Sequence, residues 1–222
     1  MTAFFDYPRA AAFGRVLPKS RIYEKANASA KLRQLFVDQV DQIVWQYKLA
    51  PETINLDATK SVAEIQVFTI TLRVANFNED VLRAIDKAIP YPIIFELVHN
   101  GKRKVIAAYK RPSEADGSKW VVSEYFSTEW ESEDNQRKPL PQALNLRRLY
   151  ERLLDVLIPE ESGADEPIVK RVERMEAIRA KQREAERIKA RLAKEKQFNR
   201  KVAINATLRQ LQSELDELVK RG

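Results

Sequence analysis

The spacing of apolar residues predicts a long amphipathic helix early in the chain. Over residues 27–49 the apolar positions recur at intervals that place them on one face of a helix. Asn27 or Ser29 can cap the start of this helix, and Pro51 stops it. The face is wide, so we expect it to pack against a sheet. Its apolar residues are Leu32, Leu35, Phe36, Val40, Ile43, Val44 and Tyr47.

The next segments predict the strands of a mainly antiparallel sheet. Residues 63–74 are apolar and β-branched after a polar start, which is typical of a central strand covered on both faces. Asn100 and Gly101 form a dipeptide that favours a tight hairpin turn between two flanking strands. Three further strands are predicted at residues 93–98, 103–110 and 120–126.

Two shorter helices complete the predicted fold. Residues 78–89 have an acidic start and end at Pro90, which forbids continuation of a helix. Residues 146–157 have apolar residues at helical spacing, and residues 131–139 predict an exposed loop. This order predicts an α+β fold, with a small, mainly antiparallel sheet of about four strands packed with helices and then a long basic C-terminal helix.

The C-terminal region predicts one continuous helix. Between Pro167 and Gly222 there is no proline or glycine, and Lys, Arg, Glu and Ala dominate. We therefore expect a globular domain at residues 1–160, a linker at 161–167 and a helix at 168–222. An unbroken helix of that length would extend about 80 Å.

An apolar seam near the end of this helix predicts a partner helix. Its residues follow one another in alternating steps of four and three, the spacing of a coiled-coil heptad. We expect this seam to pack on another protein or on a second copy of the chain. The seam residues are Ile204, Leu208, Leu211, Leu215 and Leu218.

The excess positive charge lies in the same region. Residues 170–201 contain thirteen Lys and Arg against five Glu, whereas the whole chain has a net charge of +7. Two interpretations stay open: a solvated helical arm, or a surface that contacts nucleic-acid phosphates without reading sequence. The residues expected to bind nucleic acid are Lys181, Arg183, Arg187, Lys189, Arg191, Lys194, Lys196, Arg200 and Lys201.

The composition gives little support for catalysis. The chain has no cysteine, one histidine (His99) and five glycines, which excludes thiol chemistry and argues against transition-metal sites and glycine-rich phosphate loops. We expect no catalytic residues, no bound metal and no cofactor. The charged residues Asp86, Lys87, Glu96 and Lys110 adjoin apolar runs, and we expect them to form ion pairs at the surface or rim.

One partial match to a metal-dependent nuclease keeps an enzymatic alternative open. Such sites need acidic residues and a Lys or Gln near the middle of a sheet, to hold a divalent cation and orient water. Asp57, Glu64 and Gln66 lie at the start of a predicted strand, and Lys110 lies on another. The order of the predicted elements differs from that of the usual nuclease core, so a structural role for these residues is favoured.

The chain shows no targeting or membrane signal. Its first residues have an early Asp6 and Arg9 in place of an uninterrupted apolar core, and no window approaches eighteen apolar residues. We therefore expect a soluble, cytoplasmic protein.

Four segments together resemble a bacterial family of domains of unknown function, DUF4391. They are VWQYKLAPETINL (44–56), AEIQVFTITL (63–72), AIDKAIPYPIIFEL (84–97) and AAYKRPSE (107–114). The resemblance spans about residues 10–160, and the C-terminal helix is similar to that of longer family members. Family members tend to be encoded beside DNA methyltransferases and helicases of restriction-like or phage-defence loci, so the resemblance implies an accessory role in DNA processing and no known chemistry.

These observations leave three functional hypotheses. The first is a non-enzymatic accessory subunit that docks on a DNA methyltransferase or helicase and contacts DNA through its basic helix. The second is a homo-oligomeric coiled-coil structural protein that does not bind nucleic acid. The third is a divergent metal-dependent nuclease.

Overall fold

The computed structural model describes residues 3–116, 119–158 and 166–220. The chain divides into two compact units, Met1–Leu157, which we call the head, and Ile158–Gly222. The head has helices and strands, whereas the described part of the second unit is helical. The expected α+β class is confirmed, and the C-terminal region does contain a long helix, although it is not one continuous helix to the end of the described residues. Most of the segment predicted as a linker, residues 161–165, lies outside the described residues.

Short helices and strands make up the head. Its helices are α1 (Lys19–Ala26), α2 (Ala30–Gln39), α3 (Pro51–Ile54), α4 (Asp80–Ala88) and α5 (Leu146–Asp155), with a 3-10 helix at Arg9–Ala11. Its strands are β1 (Phe5–Asp6), β2 (Ala12–Val16), β3 (Val40–Leu49), β4 (Ile65–Leu72), β5 (Ile93–His99), β6 (Lys102–Pro112), β7 (Trp120–Ser127), β8 (Glu131–Ser132) and β9 (Lys138–Pro139).

The main sheet is open and mostly antiparallel. Its strands run in the order β2-β3-β4-β5-β6-β7, and β8 pairs with β6. Only β4 and β5 are parallel neighbours in this sheet, as far as the described residues show, because α4 connects them. β1 and β9 form a separate parallel pair. The expected number of about four strands was too low, mainly because β2 and β3 were not predicted.

The single helix predicted over residues 27–49 is wrong in its second half. Ser29 caps α2 by accepting a hydrogen bond from the Leu32 N–H, but the helix ends at Gln39 and β3 begins directly at Val40. The segment that follows is rich in β-branched and aromatic residues, which favour a pleated strand. Pairing with β2 on one side and β4 on the other supplies the backbone hydrogen bonds of β3.

The core lies on both faces of the sheet. α1, α2 and α4 cover one face, where Phe36, Phe68, Ile85 and Phe95 are fully buried in a single apolar cluster. Side chains alternate between the faces of a strand, so the neighbours of these residues point to the opposite face. There α5 packs against β6, and the Tyr150 hydroxyl donates to the Ala108 carbonyl at 2.7 Å.

Three charged residues expected at the surface are buried. Lys110 and Asp86 are 1 % and 4 % exposed, and the Lys110 Nζ lies 3.4 Å from the Asp86 Oδ1. Glu96 is 2 % exposed and accepts two hydrogen bonds from the Arg137 guanidinium, at 2.8 and 2.7 Å. The expectation of surface or rim ion pairs is wrong for these residues, because each charge meets an opposite charge inside the head; Lys87 is exposed as expected.

The C-terminal region contains two helices where one unbroken helix was predicted. They are α6 (Ile168–Lys194) and α7 (Phe198–Lys220). At Glu195 the backbone turns from helical to extended, with φ −73° and ψ 135°. α7 then packs against α6, which allows apolar side chains of the two helices to leave water.

Candidate nucleic-acid interface

The two C-terminal helices form an antiparallel hairpin. Lys181 of α6 forms an ion pair with Glu214 of α7, although the two residues are far apart in sequence. Gln210, one turn before Glu214, donates to the same carboxylate at 3.2 Å. These contacts hold the pKa of Glu214 below its usual value, with the Lys181 hydrogen bond as the largest cause. Ala185 and Leu211 are buried within this unit, at 5 % and 6 % exposure.

Glu195 closes the turn of the hairpin. Its N–H donates to the Arg191 carbonyl at the end of α6, at 3.1 Å. Its Oε1 accepts from the backbone N–H groups of Lys196 and Gln197, each at 2.9 Å. The Gln197 N–H is the largest cause of a lowered pKa at Glu195, and the positive charge of Arg200 adds to it. This acidic side chain is therefore engaged with the backbone of the turn.

The hairpin gathers six of the nine predicted basic residues at its closed end. We call residues 189–201 the hairpin tip, which contains six Lys and Arg and a single acid, Glu195. All six cations are exposed, and the Phe198 side chain beside them is 77 % exposed. The six are Lys189, Arg191, Lys194, Lys196, Arg200 and Lys201.

The nine residues predicted to contact nucleic acid therefore differ in their exposure and in their ion pairs. Lys181 is engaged with Glu214, and Lys189 forms an ion pair with Glu186 at 2.8 Å. Arg183 is exposed and lies on α6 before the tip. In the part of the chain that the structure describes, the remaining six have no ion pair and are exposed to solvent. They are Arg187, Arg191, Lys194, Lys196, Arg200 and Lys201.

The apolar seam predicted for a partner helix lies along α7. Within the described residues, α6 is the helix against which α7 packs most closely. Leu211 is buried, whereas Ile204, Leu208, Leu215 and Leu218 are half-buried. Association of this seam with a second protein stays a prediction.

The residues considered for a nuclease site lie in two separate networks. Glu64 accepts from Gln66 and lies 3.5 Å from the Lys48 ammonium, whereas Asp57 is exposed. Lys110 is held elsewhere, by Asp86. Among the described residues, no three His, Asp or Glu side chains form a group that could hold a metal ion.

The one histidine of the chain, His99, contacts a neighbouring strand of the sheet. The His99 Nδ1 lies 3.0 Å from the Leu72 carbonyl oxygen, so the ring is engaged with the neighbouring strand. None of the helices described for this chain is both long enough and apolar enough to cross a membrane.

The fold and the site together define an α+β head followed in the chain by a basic helical hairpin. The chain belongs to the family described as a domain of unknown function, DUF4391, whose sequence pattern matches residues 5–215. The match includes both the head and most of the hairpin. No curated protein and no solved structure matches the chain.

Sequence reasoning found the basic residues but missed how they are brought together. The prediction of a continuous helix spread these charges along an extended rod. The turn at residues 195–197 instead places the charges of two helix ends side by side. Neither proline nor glycine marks this turn, so the usual signal for a helix end is missing from the sequence.

Proposed function

We propose that the protein is a non-enzymatic accessory subunit of a DNA-processing complex and that the hairpin tip contacts the DNA backbone. The observation on which this rests is the concentration of exposed Lys and Arg at the tip, with Glu195 as its one acid. Lys and Arg that contact phosphates release condensed counterions, which favours binding to any sequence. The tip therefore supports positioning on DNA without recognition of particular bases.

The rest of the proposed role is docking on a larger enzyme. The seam on α7 supports this part because four of its five apolar residues remain partly exposed in the hairpin. A partner helix that covered them would remove more apolar surface from water. The resemblance to DUF4391 favours a DNA methyltransferase or helicase of a restriction-like or phage-defence system as that partner.

Fluorescence anisotropy with a short labelled DNA duplex tests the tip. We expect the full chain to bind at low salt and to lose affinity steeply as salt rises. Changing Lys194, Lys196, Arg200 and Lys201 to Glu should abolish binding at moderate salt, because four phosphate contacts account for a slope of about −3.6 in a plot of log affinity against log salt.

A charge-matched variant separates the tip from net charge alone. Lys31, Lys60, Lys102 and Lys138 of the head are exposed, and changing all four to Glu alters the net charge by the same amount. This variant should retain most of the duplex affinity. If both variants lose affinity equally, the tip is not the contact surface. A stable oligomer that ignores DNA at low salt would instead favour the coiled-coil alternative.

A further inference from the structure

Three depressions join along one side of the head. The first, of about 360 Å³, is lined by Phe13 and Trp45. The second, also of about 360 Å³, shares Leu17 and Arg21 with the first. The third, of about 460 Å³, shares Ile89 with the second. The lining residues in common show that each depression adjoins the next, and we call the three together the head groove.

The head groove is lined by positive charge. Of its two acids, Glu24 is exposed, but Asp86 is buried and faces the Lys110 ammonium and the Tyr125 hydroxyl. Lys119 also has an acidic neighbour, because its Nζ lies 3.1 Å from Asp116. The groove nevertheless has more cations than acids, and all its cations are exposed. They are Arg15, Arg21, Lys25, Arg83, Lys87 and Lys119.

Aromatic rings lie at both ends of this groove. At the first end the Phe13 and Trp45 rings are 4.1 Å apart, and the Arg15 guanidinium lies over Phe13, 4.6 Å from the ring centroid. At the other end Trp120 is half-buried and lines the third depression. The buried Lys110 Nζ is 5.8 Å from the Trp120 ring centroid. A guanidinium plane and an indole ring are both surfaces on which nucleobases stack.

We propose that the head groove binds single-stranded nucleic acid. Its cations would follow the phosphates, while Arg15 and Trp120 would stack on bases toward the two ends. A charged groove with aromatic platforms is the arrangement that proteins use to bind single strands without sequence preference. A duplex fits this surface less well, because pairing and stacking hide the faces of its bases. The inference goes beyond the duplex contact proposed for the hairpin tip and rests on different residues.

The test uses the full chain with the tip changed. In the variant with Lys194, Lys196, Arg200 and Lys201 replaced by Glu, we expect labelled oligothymidylate still to bind at low salt. Adding Trp120→Ala to this variant should weaken binding about tenfold, since stacking of one base is lost. Trp120→Phe keeps an aromatic ring and should restore most of the affinity. Trp130→Phe is the matched control outside the groove and should have no effect.

A second variant tests the cations. Changing Arg21, Lys25 and Lys87 to Ala should reduce the slope of log affinity against log salt by about two, as expected for three lost contacts with a single strand. Circular dichroism and thermal melting check that each variant is folded. The proposal would be overturned if Trp120→Ala and Trp120→Phe bound oligothymidylate with equal affinity. It would also be overturned if polyglutamate, at an equal concentration of charge, displaced the oligonucleotide.

The outcomes separate this proposal from that for the tip. If the tip variant loses duplex binding but still binds oligothymidylate, the result supports both the proposal for the tip and the proposal for the groove. Unchanged duplex binding in the tip variant contradicts only the proposal for the tip. Failure of oligothymidylate to bind the tip variant at low salt, while the unmodified full chain binds the duplex, contradicts only the proposal for the groove.

Discussion

Lys110 places a charged amine in the interior of the head. Its Nζ donates to the Asp86 and Ile89 carbonyl oxygens, both at 2.5 Å, where α4 ends. Carbonyls at the end of a helix have no partner within the helix, and the negative end of the helix dipole favours a cation there. Lys110 therefore closes α4 as well as pairing with the Asp86 carboxylate.

Burial changes the titration of this pair in opposite directions. It lowers the pKa of Lys110 and raises the pKa of Asp86, because water no longer stabilises either charge. The opposite charge of the partner opposes the shift of each pKa, and the hydrogen bond that the Tyr125 hydroxyl donates to Asp86 also opposes the rise in the pKa of Asp86. Each charge is thus tolerated only while its partner remains.

We expect Lys110→Met to destabilise the head by about 3–5 kcal/mol, since it leaves a buried carboxylate without its cation. Lys87→Met is the control, because Lys87 is adjacent to Asp86 in sequence but exposed. It should change the free energy of unfolding by less than about 0.5 kcal/mol. Denaturant unfolding measures both values. A near-neutral Lys110→Met would show that the pair contributes little to stability.

At the scale of whole elements, strand and helix identity was predictable where turn signals occur in the sequence. The hairpin between β5 and β6 has Asn100 and Gly101 at its turn, both with positive φ, as the dipeptide predicted. Two boundaries lack such signals. α2 ends at Gln39 and β3 begins at Val40, with no proline or glycine between them. The turn that follows α6 also contains neither residue. In both places packing partners decide the structure.

Leu211 offers a test of the packing between α6 and α7. Leu211→Ala should destabilise the packing of α7 on α6 by about 2–3 kcal/mol, because a buried side chain is truncated. Val202→Ala is the matched control on the same helix, since Val202 is 53 % exposed. Hydrogen exchange of α7 amides should accelerate only in the Leu211 variant. Equal exchange in both variants would contradict the observed packing.

Across the whole molecule, the core was easier to predict than the candidate site. Apolar spacing identified α4, α5 and β4 to β7 within a few residues, because these elements bury one or both faces. The basic residues of the tip were also identified, since composition alone reveals them. Their convergence was not, because it depends on the turn at residues 195–197. The head groove depends on the three-dimensional packing of β2, β3, β7, α1 and α4, so its residues have no common sequence motif.

Buried tyrosines predict how the head responds to alkaline pH. Burial raises the pKa of Tyr7, Tyr125 and Tyr150 above the ordinary value of 10.0. Their contribution to stability is complete below pH 10 and is lost as pH rises above it, because the unfolded chain releases these protons first. Each of these tyrosines should reduce the free energy of unfolding by about 1.4 kcal/mol for every pH unit above pH 10, until its own pKa in the folded head is reached.

Denaturant unfolding at a series of alkaline pH values checks this dependence, with phenolate absorbance recorded in parallel. Tyr150→Phe should reduce the slope by about 1.4 kcal/mol per pH unit, the contribution of one buried tyrosine, whatever its effect on stability at neutral pH. A slope unchanged by this substitution would show that Tyr150 ionises within the folded head.

The turn at residues 195–197 also has a kinetic consequence. By folding back on itself, the hairpin is about 40 Å long, half the length of a continuous helix. On a continuous helix the cations of residues 189–201 would extend over about 18 Å, more than twice the Debye length of about 8 Å at physiological ionic strength, so the outermost charges would act separately. Gathered at one end, they form a compact pole of high potential that attracts a polyanion from solution and orients the molecule before contact. The association rate constant, more than the dissociation rate constant, should therefore respond to ionic strength.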